Sequence, residues 1–370
     1  MTVTTRLSLA LVGVLLPAFL AAQNHDTPRE TLLALSKRDH SLAIVDPATL
    51  KILAKVPIGN DPHEVIASAD GKTAYVSNYG FGAFHTLAVV DLVAQKPLPA
   101  IDLGPLRGPH GLDFAGGKVW FTAEAAKAIG SYDPAAGKVD WILGTGQNRT
   151  HMIFVAQNLK RLITTNVNSG TVSIIDKSDH PPGPPPGPPP GPPPGANNMQ
   201  GPPPGTAPGP GPGGPMGAPA GDWDETVVKV GSRSEGFDVS PDGKEIWVAN
   251  AGEGTISIID SASKTVSGTL AANVPGANRL KFTPDGKRVF ISSLGRPDLV
   301  ILNATTRKEI KRINIGHGSA GILMQPDGTR VYVACSPDNY VTVIDLKTLE
   351  ITGHIDVGPE PDGLAWAVRR

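Results

Sequence analysis

Three histidines are the residues of this chain best placed to do chemistry together. His63, His110 and His151 each open an apolar stretch, and each holds the same place in a phrase that the sequence repeats. Further copies of the phrase put Glu235, Asn278, Ala320 and Asp362 at that place. Neutral imidazole and carboxylate oxygen are ligands for divalent zinc, copper, iron, magnesium or manganese, and three protein ligands with one open position make a catalytic arrangement. A metal so held, open to solvent on one side, would activate water or polarise a carbonyl. The expected metal ligands are His63, His110, His151 and Glu235, with Glu235 also a candidate general base. Arg149 and Arg279 flank these positions and would hold an anionic ligand, with Asn278 and Asp362 completing the ligand-binding set. The plainer alternative is turn chemistry, in which the Pro-His and Pro-Asp pairs hydrogen-bond loop backbone.

The repeat itself must position these residues. Ser240-Pro241-Asp242-Gly243-Lys244 recurs as Thr283-Pro284-Asp285-Gly286-Lys287 and Gln325-Pro326-Asp327-Gly328-Thr329, with a fainter copy at Ser68-Ala69-Asp70-Gly71-Lys72. Asp-Gly between apolar runs supplies the positive-φ residues of a tight hairpin. Short alternating strands with a period of about 40 residues mark an all-β fold, a seven-bladed β-propeller with one four-stranded blade per repeat. Inner strands are expected at 63–67, 110–114, 151–155, 235–239, 278–282, 320–324 and 362–366. Their entrances surround one mouth of a central channel, which brings the three histidines side by side. Loops after the second strands add Asn78, Tyr79, Glu124, Asn166 and Asn250 to the same face. Third strands end in an aspartate such as Asp46, Asp91, Asp176 or Asp260, or in Asn303, and these side chains are expected to fold into Asx-turns. The N-terminal strands from Thr31 lack an inner strand, and 362–366 lacks the other three. Joining them in one blade closes the ring and removes the open edge.

The propeller is expected over 28–370, interrupted in blade four by a Pro/Gly-rich insertion at 180–221. Gly183, Gly187, Gly191 and Gly195 are four apart, which excludes a collagen helix and favours a disordered, partly polyproline-II loop. Residues 1–22 read as a signal peptide, with Arg6 ahead of the apolar run Leu7 to Leu20 and Ala21-Ala22 after it. A periplasmic or secreted protein follows, without stable membrane insertion after cleavage and expected to be a monomer. A net charge of −1 gives nucleic acid no electrostatic pull. Cys335 is the only cysteine, which excludes an intrachain disulfide and c-type haem attachment and reads as a buried small hydrophobe.

Tyr75-Val76-Ser77-Asn78, Trp247-Val248-Ala249-Asn250 and the Ile-Ile-Asp strands resemble the YVTN-repeat (YncE-like) propellers. That resemblance covers the chain apart from the insertion and implies the fold rather than an activity. Gly108-Pro109-His110-Gly111-Leu112, with Val119-Trp120-Phe121-Thr122 and Ala128 to Pro134, is similar to one blade of the streptogramin B lyases. Those are seven-bladed propellers that use a metal-assisted elimination. Two functional readings follow. One is an exported binding or scaffold module that takes a small ligand or a protein at the His-lined channel mouth. The other is a metal-dependent lyase or hydrolase, with lactone ring opening, known among related propellers, as a further variant.

Overall fold

A computed structural model describes residues 28–178 and 223–370. The expected signal peptide and Pro/Gly-rich insertion lie outside the described residues. Seven four-stranded antiparallel sheets form the blades of a propeller. Blade 1 joins the two ends of the chain: Pro361–Val368 is its inner strand, followed by Glu30–Ser36, Ser41–Asp46 and Lys51–Pro57. Blades 2 to 7 begin with inner strands Pro62–Ala67, Pro109–Ala115, Thr150–Val155, Ser234–Val239, Ala277–Phe282 and Ser319–Met324. His110 stands in register with the other blades, because Pro109 pairs with Ala123 as Pro62 pairs with Asn78.

The repeated second-strand phrase has a separate physical role at each position. Its first residue fills the space between blades: Trp247, Phe290 and Tyr332 are fully buried. Burial of each large side chain is worth roughly 1.5–3 kcal/mol. The hydroxyl at the third position pins the neighbouring blade, as described below. Asparagine at the fourth turns inward: Asn78 donates to Ile58 O and Asn60 O, and Asn250 donates to the hydroxyls of Thr255 and Ser257, all at 2.9–3.0 Å. These asparagines hold loops and outer strands together.

The Asp-Gly hairpins form with one difference from expectation. Only the glycine takes positive φ, 73° at Gly243, while the aspartate works as a cap. Asp242 Oδ1 accepts from Ser240 Oγ at 2.7 Å and from Lys244 N at 3.1 Å. Asx-turns follow the third strands at Asp46, Asp91, Asp133, Asp260, Asn303 and Asp345. Asp176 departs from the pattern: it accepts from both Arg161 nitrogens, at 2.6 and 2.9 Å, and pairs with Lys264 at 2.7 Å. There the chain leads into the insertion, whereas Asp46, Asp91, Asp133 and Asp260 each open a four-residue turn. Cys335 is buried, its thiol pushed up to about 11 by desolvation.

Candidate functional site

Each inner strand carries a bulge at its entrance. Pro62 pairs with Asn78 and Val65 with Val76, so His63 and Glu64 together oppose Ser77. The same offset sets His110-Gly111 against Thr122 and His151-Met152 against Thr165. A bulge re-aims a side chain and leaves one N–H off the ladder. Here a hydroxyl collects that N–H and reaches on to the next blade. Thr122 Oγ1 accepts from Gly111 N at 2.9 Å and donates to His151 O at 2.6 Å. Ser77 accepts from Glu64 N and donates to His110 O at 2.8 Å, and Thr165 donates to Glu235 O at 2.6 Å. The backbone of three mouth residues is thereby fixed from behind. The blades also approach closely there, since a Cβ on Gly111 would run into the His151 carbonyl.

All eight sequence-predicted residues, namely His63, His110, His151, Glu235, Asn278, Asp362, Arg149 and Arg279, line one mouth cavity of about 370 Å³. Lys37, Arg233, Leu294 and Ala320 share it. Beneath the mouth, Glu64 and Arg279 meet at 2.7 Å and join blades 2 and 6. The three imidazoles stand in a row: His63 Nδ1 lies 3.1 Å from His110 Nε2, and the His110 and His151 rings are 3.9 Å apart.

The tightest convergence of ligand atoms is His110, Glu124 and His151, all within 4.8 Å of one another and all buried. Glu124 bonds His151 Nδ1, and its other oxygen accepts from Tyr79 Oη at 2.5 Å. Glu235 approaches His151 Nε2 at 3.1 Å, off hydrogen-bond alignment. Among the described residues neither His110 Nδ1 nor His151 Nε2, both buried, has a hydrogen-bond partner. His63 stands beside this set, but its Nε2 faces Lys37 at 2.9 Å and Asp61 at 3.1 Å. Asp362 lies 3.3 Å from Lys37 and 3.7 Å from His63, and Asn278 accepts from Arg279 at 3.2 Å.

Sequence reasoning placed Glu124 on this face without making it a ligand. A register signal identifies it, because it is the first residue after its second strand, as Lys37 and Tyr79 are after theirs. Each meets the mouth histidine of the next blade: Lys37 with His63, Tyr79 with His110 (ring centroids 5.3 Å apart) and Glu124 with His151.

Electrostatics separates the roles. Burial, then His151 and His63, push His110 well below its usual 6.5, so its ring is neutral. Burial works against protonation of His151 as well, but Glu124 and Glu235 overcome it and raise that histidine. Burial opposes ionisation of Glu235, yet His151, Arg149 and Arg279 hold its carboxyl at about 2. Burial and Glu124 push Tyr79 up to about 12, which keeps it a proton donor. The donor set suits a divalent metal: two histidines and one carboxylate, with one nitrogen on each imidazole unpartnered among the described residues, beside an open mouth.

The fold and site define the class as a seven-bladed β-propeller with a His/Glu-lined channel mouth. Neither a known sequence family nor any curated protein matches the chain. Solved structures share the fold. A functionally unknown protein from Desulfotomaculum acetoxidans aligns with TM-score 0.67 at 12% identity over 92% of this chain and 99% of that one. Hydrazine synthase from Kuenenia stuttgartiensis aligns with TM-score 0.63 at 18% identity over 85% and 92%. A Bacteroides fragilis protein provisionally described as a 6-phosphogluconolactonase aligns with TM-score 0.66 at 16% identity over 92% and 99%.

Proposed function

We propose that this chain is an exported, monomeric binding module whose channel mouth recognises a small ligand through one divalent metal held by His110, Glu124 and His151. The observation that carries the reading is the convergence of three buried ligand groups, of which His110 and His151 line the mouth cavity and each keep a ring nitrogen without a hydrogen-bond partner among the described residues. A buried imidazole nitrogen without a partner is costly, and a metal would relieve it. Histidine and carboxylate favour zinc, copper or manganese over magnesium. His63 and Glu235 then stand around the centre, Glu235 facing His151 Nε2 at 3.1 Å from outside the ligand set.

The same centre supports a second reading, a metal-dependent hydrolase or lyase. Its support is the open mouth and the fold shared with the protein described as a 6-phosphogluconolactonase. In that reading activation of water falls to the metal, because a carboxyl held at about 2 makes Glu235 a weak base near neutral pH. Elemental analysis of purified protein from metal-replete medium tests the centre. Stoichiometric metal that is lost in Glu124→Gln and His110→Ala but kept in His63→Ala is the expected result. Metal-free protein that takes up neither zinc nor copper would overturn the proposal, and loss of metal in His63→Ala would return His63 to the ligand set.

A further inference from the structure

The loop entering each inner strand repeats one backbone device. Two residues before the mouth position the chain takes positive φ in every blade, and that residue's carbonyl accepts the N–H of the first residue past the second strand. Glu124 N donates to Gly108 O and Ala251 N to Arg233 O, each at 2.9 Å. Glycine adopts this left-handed conformation without steric cost, and a side chain does not. Three blades use glycine there, Gly108, Gly276 and Gly318. The other four carry a charged residue, Asp61, Arg149, Arg233 or Glu360, with φ of 47°, 59°, 53° and 56°. Strain kept where the repeat has its own glycine solution points to a use for the side chain.

Asp61 and Glu360 have evident partners, His63 at 3.1 Å and Arg38. The two arginines stand on adjacent blades; Arg149 bridges two carboxylates with long bonds and Arg233 is the freer. Arg149 lies 3.3 Å from Glu124 and 3.4 Å from Glu235, both already turned toward His151. Arg233 is 65% exposed, and its one carboxylate contact is Glu235 at 4.0 Å. Both line the mouth, and so do Leu294, 53% exposed, and Ala320 from blades 6 and 7.

We propose that Arg149 and Arg233 clamp the carboxylate of a short aliphatic hydroxycarboxylate, whose hydroxyl end reaches the His110–Glu124–His151 centre and whose alkyl chain lies on Leu294 and Ala320. The planar guanidinium fork matches a carboxylate, and a cavity of about 370 Å³ limits the ligand to a small molecule. The clamp deepens the metal reading and rests on it for the position of the hydroxyl end.

Calorimetry with the full chain, zinc-loaded and metal-free, tests it with 3-hydroxybutyrate and the neutral 3-hydroxybutyramide as probes. The acid is expected to bind at least ten-fold more tightly than the amide, and Arg233→Gln to abolish that preference. Arg233→Gly, which installs the residue of blades 3, 6 and 7, is expected to raise the melting temperature while losing the same affinity. Equal binding of acid and amide, no binding of either, or an Arg233→Gln protein with wild-type affinity would overturn the clamp. Metal content of the same samples separates the two proposals. An arginine-dependent preference in protein that takes up no metal sinks the metal reading alone, and metal uptake without the preference sinks the clamp alone.

Discussion

Replacing Thr122 by valine tests whether the hydroxyl pins govern both stability and the site. Thr122 is fully buried, and valine has nearly its shape, so no cavity opens. The change removes two hydrogen bonds, from Gly111 N at 2.9 Å and to His151 O at 2.6 Å, and leaves both backbone groups buried. Each orphaned group costs about 1–3 kcal/mol, so a loss of about 2–4 kcal/mol is expected after partial relaxation. Freeing the His151 backbone also loosens a proposed metal ligand from behind, for which the expected penalty in zinc affinity is roughly ten-fold or more. Thr164 supplies the control. It is equally buried on the neighbouring blade's second strand, but its hydroxyl has no partner. Thr164→Val is therefore expected to be neutral or stabilising. Urea unfolding gives the stability difference and zinc competition gives the affinity. Equal stability of the two variants, or a Thr122→Val protein within about 0.5 kcal/mol of wild type, would refute the pinning mechanism.

Two further outcomes follow from packing and charge. Deleting 361–370 removes the inner strand that pairs with Glu30–Ser36 and opens the ring, so the melting transition should fall further than for any single substitution; an unchanged transition would mean that closure does not hold the ring. Asp176 is lowered mainly by Arg161, against burial and with help from Lys264. Its ionised form therefore stabilises the fold fully above an unfolded value of about 3.9, and the contribution is lost as pH falls through the lower folded value. Asp176→Asn should thus be less stable than wild type at neutral pH, with the gap closing on acidification below about pH 4; a gap that widens there would contradict the sign.

Much of the fold was readable because it is written repeatedly. Seven inner strands, the hairpins between Ser240 and Lys244 and their copies, and the closure of blade 1 all follow from the alternation of apolar residues and from turn chemistry with local causes. The mouth residues were readable for the same reason, since equivalent positions in a repeat must be equivalent in space. The contact of Glu124 with His151 was not. Glu124 lies outside the inner strand, and it meets His151 only because blades 3 and 4 pack side by side, a contact between repeats that alignment within a repeat does not display. The role of Asp242 escaped for a smaller reason: positive φ at Gly243 alone completes the turn, which frees the aspartate to cap it.

The distribution of hydroxyls around the ring matches the placement of the His110–Glu124–His151 group. Ser77, Thr122, Thr165 and Ser292 pin the mouth carbonyls of His110, His151, Glu235 and Ala320. The equivalent residues in the other blades are Leu35, Ala249 and Ala334, which have no hydroxyl to offer. Three consecutive pins therefore stand behind blades 3, 4 and 5, the arc that carries His110, His151 and Glu235, with Glu124 between them. A coordination site needs its ligands held to a fraction of an ångström, and backbone fixed from behind supplies that rigidity. Asn278, Asp362 and His63 lie on unpinned junctions. A seven-fold repeat could have placed its histidines anywhere on the ring. Two of the three fall within this pinned arc and the third lies next to it, so the outer shell of the site is built into the repeat's own second-strand phrase.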